Sequence, residues 1–273
     1  MSILQAVVLG LVQGLTEFLP ISSTAHLRVV PALLGWSDPG AAYSAIIQLG
    51  TVLAVLFYFR ADLVRLTRAF LAGLMEKKPF GTADSRLAWF VGLGTIPIGL
   101  LGLTFKSYIK GPLRNLHVIA GALIVLAVVL FIVERLAKQT KTVDELTLKD
   151  GLAIGFWQAL ALIPGCSRSG STITGAFVQG LKRADAARYS FLLSIPSTTL
   201  AGLLELKDFF KDTDRPPTVM LVIGIVVSFV SGLAAISGML AFVRSRTMTA
   251  FVVYRIALGA LLLVLLHNGT LAP

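Results

Sequence analysis

Not one charged side chain occurs between Pro217 and Phe242, a stretch long enough to cross a bilayer as a helix. About 20 helical residues span the roughly 30 Å of hydrocarbon. Five other stretches reach that length: 41–59, 86–105, 116–134, 186–206 and 250–267. Composition agrees, with 56% hydrophobic residues, 14% charged residues and a mean hydropathy of +0.84. A soluble domain of this size is excluded; the fold class is an all-α polytopic membrane protein, a single integral membrane domain over 1–273. The net charge of +10 lies in short interhelical loops without interleaved aromatics, so it marks membrane topology and no nucleic-acid partner. The single cysteine, Cys166, precludes an internal disulfide and is expected to be a small buried filler. The first 19 residues are apolar but lack a basic leader, so no cleaved signal peptide is expected.

Two shorter segments, about 3–35 and 150–181, are too polar in the middle to span simply. Each carries Gly, Gln three residues later, an apolar run, a proline and a hydroxyl cluster: Gly10, Gln13, Pro20, Ser22, Ser23 and Thr24, then Gly155, Gln158, Pro164, Ser167, Ser169 and Thr172. Irregular backbone at membrane depth is tolerated only where protein or a cavity covers it. Both segments therefore read as re-entrant broken helical hairpins beside six transmembrane helices. Tyr43-Ser44 and Tyr189-Ser190 extend the likeness, giving an inverted-topology repeat with halves about 1–140 and 148–273. Placing the 60–86 loop in the cytoplasm puts fifteen Lys/Arg inside and seven outside, which the positive-inside rule favours. The first hairpin then enters from outside and the second from the cytoplasm.

Gln13 and Glu17 are four apart and share one helix face. Pro20 ends that helix, and Ser22, Ser23 and Thr24 are natural N-caps for the next. A helix starting there points free N–H groups at the break, which suits an anion. Ser23 and His26, three apart, can face the same space. The second break offers Ser167, Arg168, Ser169, Gly170 and Thr172, a flexible hydroxyl-rich cradle for phosphate with one bidentate donor. Arg168 inside a membrane needs an anionic partner, either Glu17 or a substrate. A purely structural Glu17–Arg168 pair is the bland alternative. Gln48 either lines this site or bonds across helices, and His117 and His267 sit at span ends. Glu134, Asp185 and Glu205 are expected at solvated ends.

The stretches Gln13-Gly14-Leu15-Thr16-Glu17-Phe18-Leu19-Pro20-Ile21-Ser22-Ser23-Thr24-Ala25-His26 and Pro164-Gly165-Cys166-Ser167-Arg168-Ser169-Gly170 resemble the two signature motifs of the bacterial undecaprenyl-diphosphate phosphatases, the bacitracin-resistance family. Ile47-Gln48-Leu49-Gly50 and Tyr254-Arg255 extend the resemblance along the chain. It implies an inner-membrane hydrolase that removes the terminal phosphate of a polyprenyl diphosphate lipid, recycling the carrier for cell-wall synthesis and conferring bacitracin resistance. The site would open to the periplasmic or outer face, with the lipid tail reached from the bilayer. It also implies Mg²⁺ or Ca²⁺, with Glu17 as the metal ligand; a homodimer is left open. Ser23 is the expected nucleophile and His26 the nearby base or proton donor, and the rival assignment makes His26 the nucleophile. Arg168, Ser167, Ser169, Gly170 and Thr172 would hold the diphosphate, with Gln13, Ser22, Thr24 and Gln48 at its edge. The family's first motif leads with Glu or Gln; here Gln13 leaves one carboxylate on that face. Ala25 stands where Gly is frequent.

Two other classes fit parts of the pattern. Broken half-helices in an inverted repeat also build secondary transporters and lipid flippases. A type 2 phosphatidate phosphatase shares Ser-Arg segments, but its Lys-x6-Arg-Pro motif is missing.

Overall fold

The computed structural model describes residues 1–211 and 215–272 and is built from helices. In chain order they are α1 (Ile3–Glu17), α2 (Ser23–Leu33), α3 (Gly40–Tyr58), α4 (Arg60–Met75), α5 (Ala83–Thr104), α6 (Lys106–Lys110), α7 (Leu116–Leu136), α8 (Leu148–Ala159), α9 (Arg168–Val178), α10 (Arg183–Lys211), α11 (Thr218–Val243) and α12 (Thr249–His267). Short 3-10 turns lie at Pro112–Arg114, Val143–Glu145 and Leu160–Leu162.

Among the described residues five helices are long and apolar enough to cross a membrane: α3, α5, α7, α11 and α12. Their outward faces carry exposed Leu100, Leu103, Val125, Val230 and Val253. In water such a surface would aggregate, whereas lipid tails accept it at no cost. The protein is an integral membrane protein. The stretch expected at 186–206 lies within α10, which is longer than the others but less apolar. Ser190, Ser194, Pro196, Ser197, Thr198 and Thr199 dilute its hydropathy.

Two expectations are corrected. The 60–86 segment is no loop, because Arg60–Met75 forms α4. Its Leu63, Leu66 and Phe70 repeat at helical spacing amid charges, the pattern of a helix buried on one stripe. Arg65 pairs with Asp62 and Asp84, and Arg188 of α10 reaches Asp62 at 2.8 Å. The acids expected at solvated ends also prove to be fasteners. Glu134 is buried, accepts from Arg183 Nε at 2.7 Å, and receives the backbone N–H of Met248 on both oxygens. Asp185 accepts from Val143 N–H, and Glu205 is buried against Lys110. Helix ends tucked under neighbours carry unpaired N–H groups, and an acid satisfies them better than water that cannot enter.

The packing pairs elements from opposite ends of the chain. Helix α1 lies along α11, α8 lies along α5, and α3 packs on both α10 and α11. A Cβ at Gly10 would sit 2.8 Å from Gly224 O, and one at Gly155 would sit 2.4 Å from Gly94 O. Only glycine permits these backbones to approach so closely. Tyr43 of α3 donates its hydroxyl to Met220 O of α11, and Tyr189 of α10 donates to Phe90 O of α5. Each broken pair of helices is thus held by a long helix distant in sequence.

Candidate active site

Both breaks have the same local construction. Helix α1 stops at Glu17, the chain passes Pro20, and Ser22 turns into α2 with φ 74°. Helix α8 stops at Ala159, the chain passes Pro164, and Ser167 turns into α9 with φ 68°. Among the described residues four non-glycine positions have positive φ, and these serines are two of them. Such backbone costs on the order of 1–3 kcal/mol and persists where surrounding contacts enforce it. The enforcing contacts match. Ser22 Oγ accepts Ala25 N–H and pairs with Thr24 Oγ1, while Ser167 Oγ accepts Gly170 N–H and pairs with Ser169 Oγ. Each cap leaves backbone N–H groups at the helix start facing the break, a ready anion site.

The side chains at the two breaks converge on Glu17. Arg168 Nη2 donates to Oε1 at 2.7 Å. Ser23 Oγ donates to Oε2 at 2.6 Å, and Gln13 Nε2 donates to the same oxygen at 2.8 Å. The Ser23 bond has the short length of a hydroxyl bound to a charged acceptor. Arg168 also donates to Ser190 O from Nη1. The pair is nearly enclosed, with side-chain exposures of 5% for Glu17 and 11% for Arg168. Further bonds tie the breaks together. Ser169 Oγ donates to Leu19 O, and Arg255 donates to Pro20 O of one break and to Gly165 O and Cys166 O of the other. A cavity of about 230 Å³ opens beside them, with Thr24 on one wall and Pro164 on another. Gln48, Ser44 and Ser197 add polar groups to a mostly aliphatic lining, and Lys106, Lys110 and Arg114 stand around it.

A sequence profile of the bacitracin resistance protein BacA family matches residues 6–261. The chain belongs to this family. Among relatives of this BacA-family chain, an undecaprenyl-diphosphatase of Myxococcus xanthus (strain DK1622) is 62% identical over 273 residues, covering 100% of this chain and 92% of the relative. Others bearing the same name come from Chloroherpeton thalassium (48% over 280 residues, 99% of each chain) and Nocardioides sp. (48% over 269 residues, 98% of each chain).

The BacA-family fold brings Gln13, Glu17, Ser23 and Arg168 into one hydrogen-bonded group; spacing had pointed to Gln13 with Glu17, and the need for a counter-ion to Arg168 with Glu17. His26 lies apart from that group's bonds. Its Nδ1 meets Ser22 O at 2.7 Å and its Nε2 meets Tyr254 Oη at 2.7 Å, with the two rings stacked 5.6 Å apart. A carbonyl can only accept, so in the neutral ring Nδ1 carries the proton and Nε2 accepts from the tyrosine. Ser23 finds Glu17, not His26, as its acceptor. Three of the expected cradle hydroxyls are committed to backbone or to each other. Ser167 caps α9, Ser169 holds Leu19 O, and Thr172 Oγ1 donates to Arg168 O and meets Ser190 Oγ. They shape the second break, and Arg168, at the first position of α9, is bonded to Glu17 and Ser190 O. Gly170 lies in that first turn, Ser22 is the other cap, and Gln48 and Thr24 line the cavity. Cys166 is buried, as a filler should be.

Sequence reasoning gave no role to Tyr254, Arg255 and Ser190. Arg255 had a legible signal, a lone charge inside the apolar stretch Thr249–His267. Tyr254 and Ser190 were marked only by the resemblance and the repeat, because the bonding partner of an ordinary hydroxyl shows only in space.

The cation expectation meets a sparse donor set. Among the described residues no three His, Cys, Asp or Glu side chains gather into a metal site. One observation nonetheless suits a hard cation. Gln13 Oε1 is buried without a partner, because its amide nitrogen is spent on Glu17. A carboxylate and a free amide oxygen match an ion that takes most of its ligands from phosphate and water.

Proposed function

We propose that this chain hydrolyses undecaprenyl diphosphate to undecaprenyl phosphate and inorganic phosphate in the bacterial inner membrane. The observation that carries the reading is the Ser23–Glu17–Arg168 group, a hydroxyl, its acceptor and a guanidinium assembled across two helix breaks. Ser23 Oγ attacks the terminal phosphorus while Glu17 takes its proton. The bond from phosphorus to the bridging oxygen breaks, and undecaprenyl phosphate leaves. Water then attacks the phosphoserine, the Oγ–P bond breaks, Ser23 regains a proton and inorganic phosphate departs. Arg168 moves its Nη2 donor from Glu17 to the phosphoryl oxygens, where charge accumulates. The engaged ring nitrogens of His26 favour Ser23 as nucleophile. Mg²⁺ or Ca²⁺, held by Glu17 and Gln13 Oε1, would neutralise phosphate charge. The prenyl chain lies along the aliphatic wall of Ile98, Leu103, Leu200 and Leu204.

Detergent-purified protein given undecaprenyl diphosphate and Mg²⁺ releases phosphate, and EDTA stops it. Proteoliposomes that move the lipid without any release would point to a transporter. Release unaffected by EDTA would remove the cation.

The topology we propose has six spans, counting α10, and two re-entrant hairpins, α1–α2 and α8–α9, related by inversion. Its support is the paired geometry already described: Ser22 with Ser167, Gly10 with Gly155, and Tyr43 with Tyr189. The basic excess on the 60–86 side orients the site toward the periplasm. Ser37→Cys is expected to react with an impermeant thiol reagent from outside the cell, and Thr82→Cys only after permeabilisation. The reverse pattern overturns the orientation.

A further inference from the structure

Arg255 is fully buried, on a membrane-spanning helix, and among the described residues no carboxylate pairs with it. An intramembrane charge without a counter-ion is rare and expensive. Its guanidinium is bonded instead to five carbonyl oxygens from three separate segments. Nη1 donates to Pro20 O at 3.1 Å in the first break. Nη2 donates to Gly165 O at 2.9 Å and to Cys166 O at 3.2 Å in the second. Nη2 also donates to Ala122 O, and Nε to Leu123 O, both on α7.

The chemistry explains why an arginine stands there. Each break strips carbonyls of their helical partners, and in a low-dielectric interior such groups need donors. A planar fork with five N–H groups reaches in several directions at once, and an ammonium does not. The guanidinium also lies against the start of α9, where a Cβ on Gly170 would come 2.8 Å from Nη1. One side chain therefore touches the loop that leads into Ser23 and the loop that leads into Arg168.

We infer that Arg255 is a positioning residue for the phosphatase reaction, a strut that sets the separation of the two breaks so that Ser23 and Arg168 meet one phosphorus. The inference rests on the phosphatase reading above. It makes a specific demand on kinetics: the anion site is local to α9 and survives loss of the strut, while alignment of nucleophile and phosphorus does not. A displacement of about 1 Å is enough to cost roughly 100-fold in rate.

The test is Arg255→Lys, which keeps the charge and loses the fork. With undecaprenyl diphosphate in detergent, and activity counted per folded molecule, kcat is expected to fall about 100-fold with KM within about threefold of wild type. An unchanged kcat overturns the inference, and so does a large rise in KM with kcat intact, which would make Arg255 a binding charge. If that variant does not fold, Arg255→Gln, which keeps a planar amide but loses the fork, takes its place, and the same split of kcat from KM is expected. Hydrogen exchange of the same variants gives a second reading, independent of turnover. Protection is expected to drop together over 19–26 and 163–171; a drop in only one segment, or in neither, overturns the strut. Should wild type release no phosphate, the phosphatase reading falls while exchange still decides whether Arg255 couples the breaks.

Discussion

Glu17→Gln folds but releases phosphate about 10³-fold more slowly than wild type. The reason is that Gln13, Ser23 and Arg168 each donate to this one carboxylate. Gln keeps an oxygen for Arg168 but turns an NH₂ toward Ser23 and toward the Gln13 amide, where two donors now face each other. Ser23 loses the acceptor for its proton, and Arg168 is left as a buried charge with a neutral partner. Breaking a buried pair from one side costs about 3 kcal/mol, so the unfolding midpoint should fall together with the rate. Phosphate release at saturating substrate and thermal unfolding in the same detergent measure the two effects. Turnover within about tenfold of wild type would remove Glu17 as the proton acceptor.

Ser23→Ala loses at least about 10³-fold in turnover, because among the described residues no other hydroxyl is bonded to Glu17. Its stability cost is smaller. The carboxylate keeps Arg168 and Gln13, so only one hydrogen bond is lost, about 1–3 kcal/mol. The two variants therefore separate by stability although both are nearly inactive. Mass spectrometry of acid-quenched wild type should find the phosphoryl group on Ser23. A phosphorylated His26 would transfer the nucleophile's role to the imidazole, and near-normal turnover in Ser23→Ala would remove the serine.

How much of this was legible beforehand depends on the range of the interaction. Apolar length alone located five spans, since lipid requires a helix to satisfy its own backbone. Pro20 and Pro164 located both breaks for the same reason. Helix α4 was missed because arginines at Arg60, Arg65 and Arg68 hide a narrow apolar stripe from a hydropathy scan. In the site, Glu17 and Arg168 could be paired across 151 positions because each was a charge needing a partner at membrane depth. Ser169 and Thr172 were assigned to phosphate on composition, yet the backbone carbonyls of Leu19 and Arg168 claim their hydroxyls first. Which carbonyls a break leaves free depends on its exact path, and that is written in contacts with α7 and α12. The same holds for His26, whose Nε2 is engaged by Tyr254 from 228 positions away.

The exchange of partners between the two ends of the chain has a consequence for biosynthesis. Glu17 leaves the ribosome 151 residues before Arg168, a lag of roughly 8–30 s at 5–20 residues per second. The helix that receives α1 by close glycine contact, α11, emerges later still. Through that interval the first hairpin has neither its counter-ion nor its landing surface, and a lone carboxylate does not settle in hydrocarbon. In the re-entrant topology proposed above, helices α1 and α2 are expected to wait at the membrane surface until α11 arrives. The Ser23–Glu17–Arg168 group is thus completed late, and a chain that stops before Arg168 carries Ser23 and Glu17 without their guanidinium.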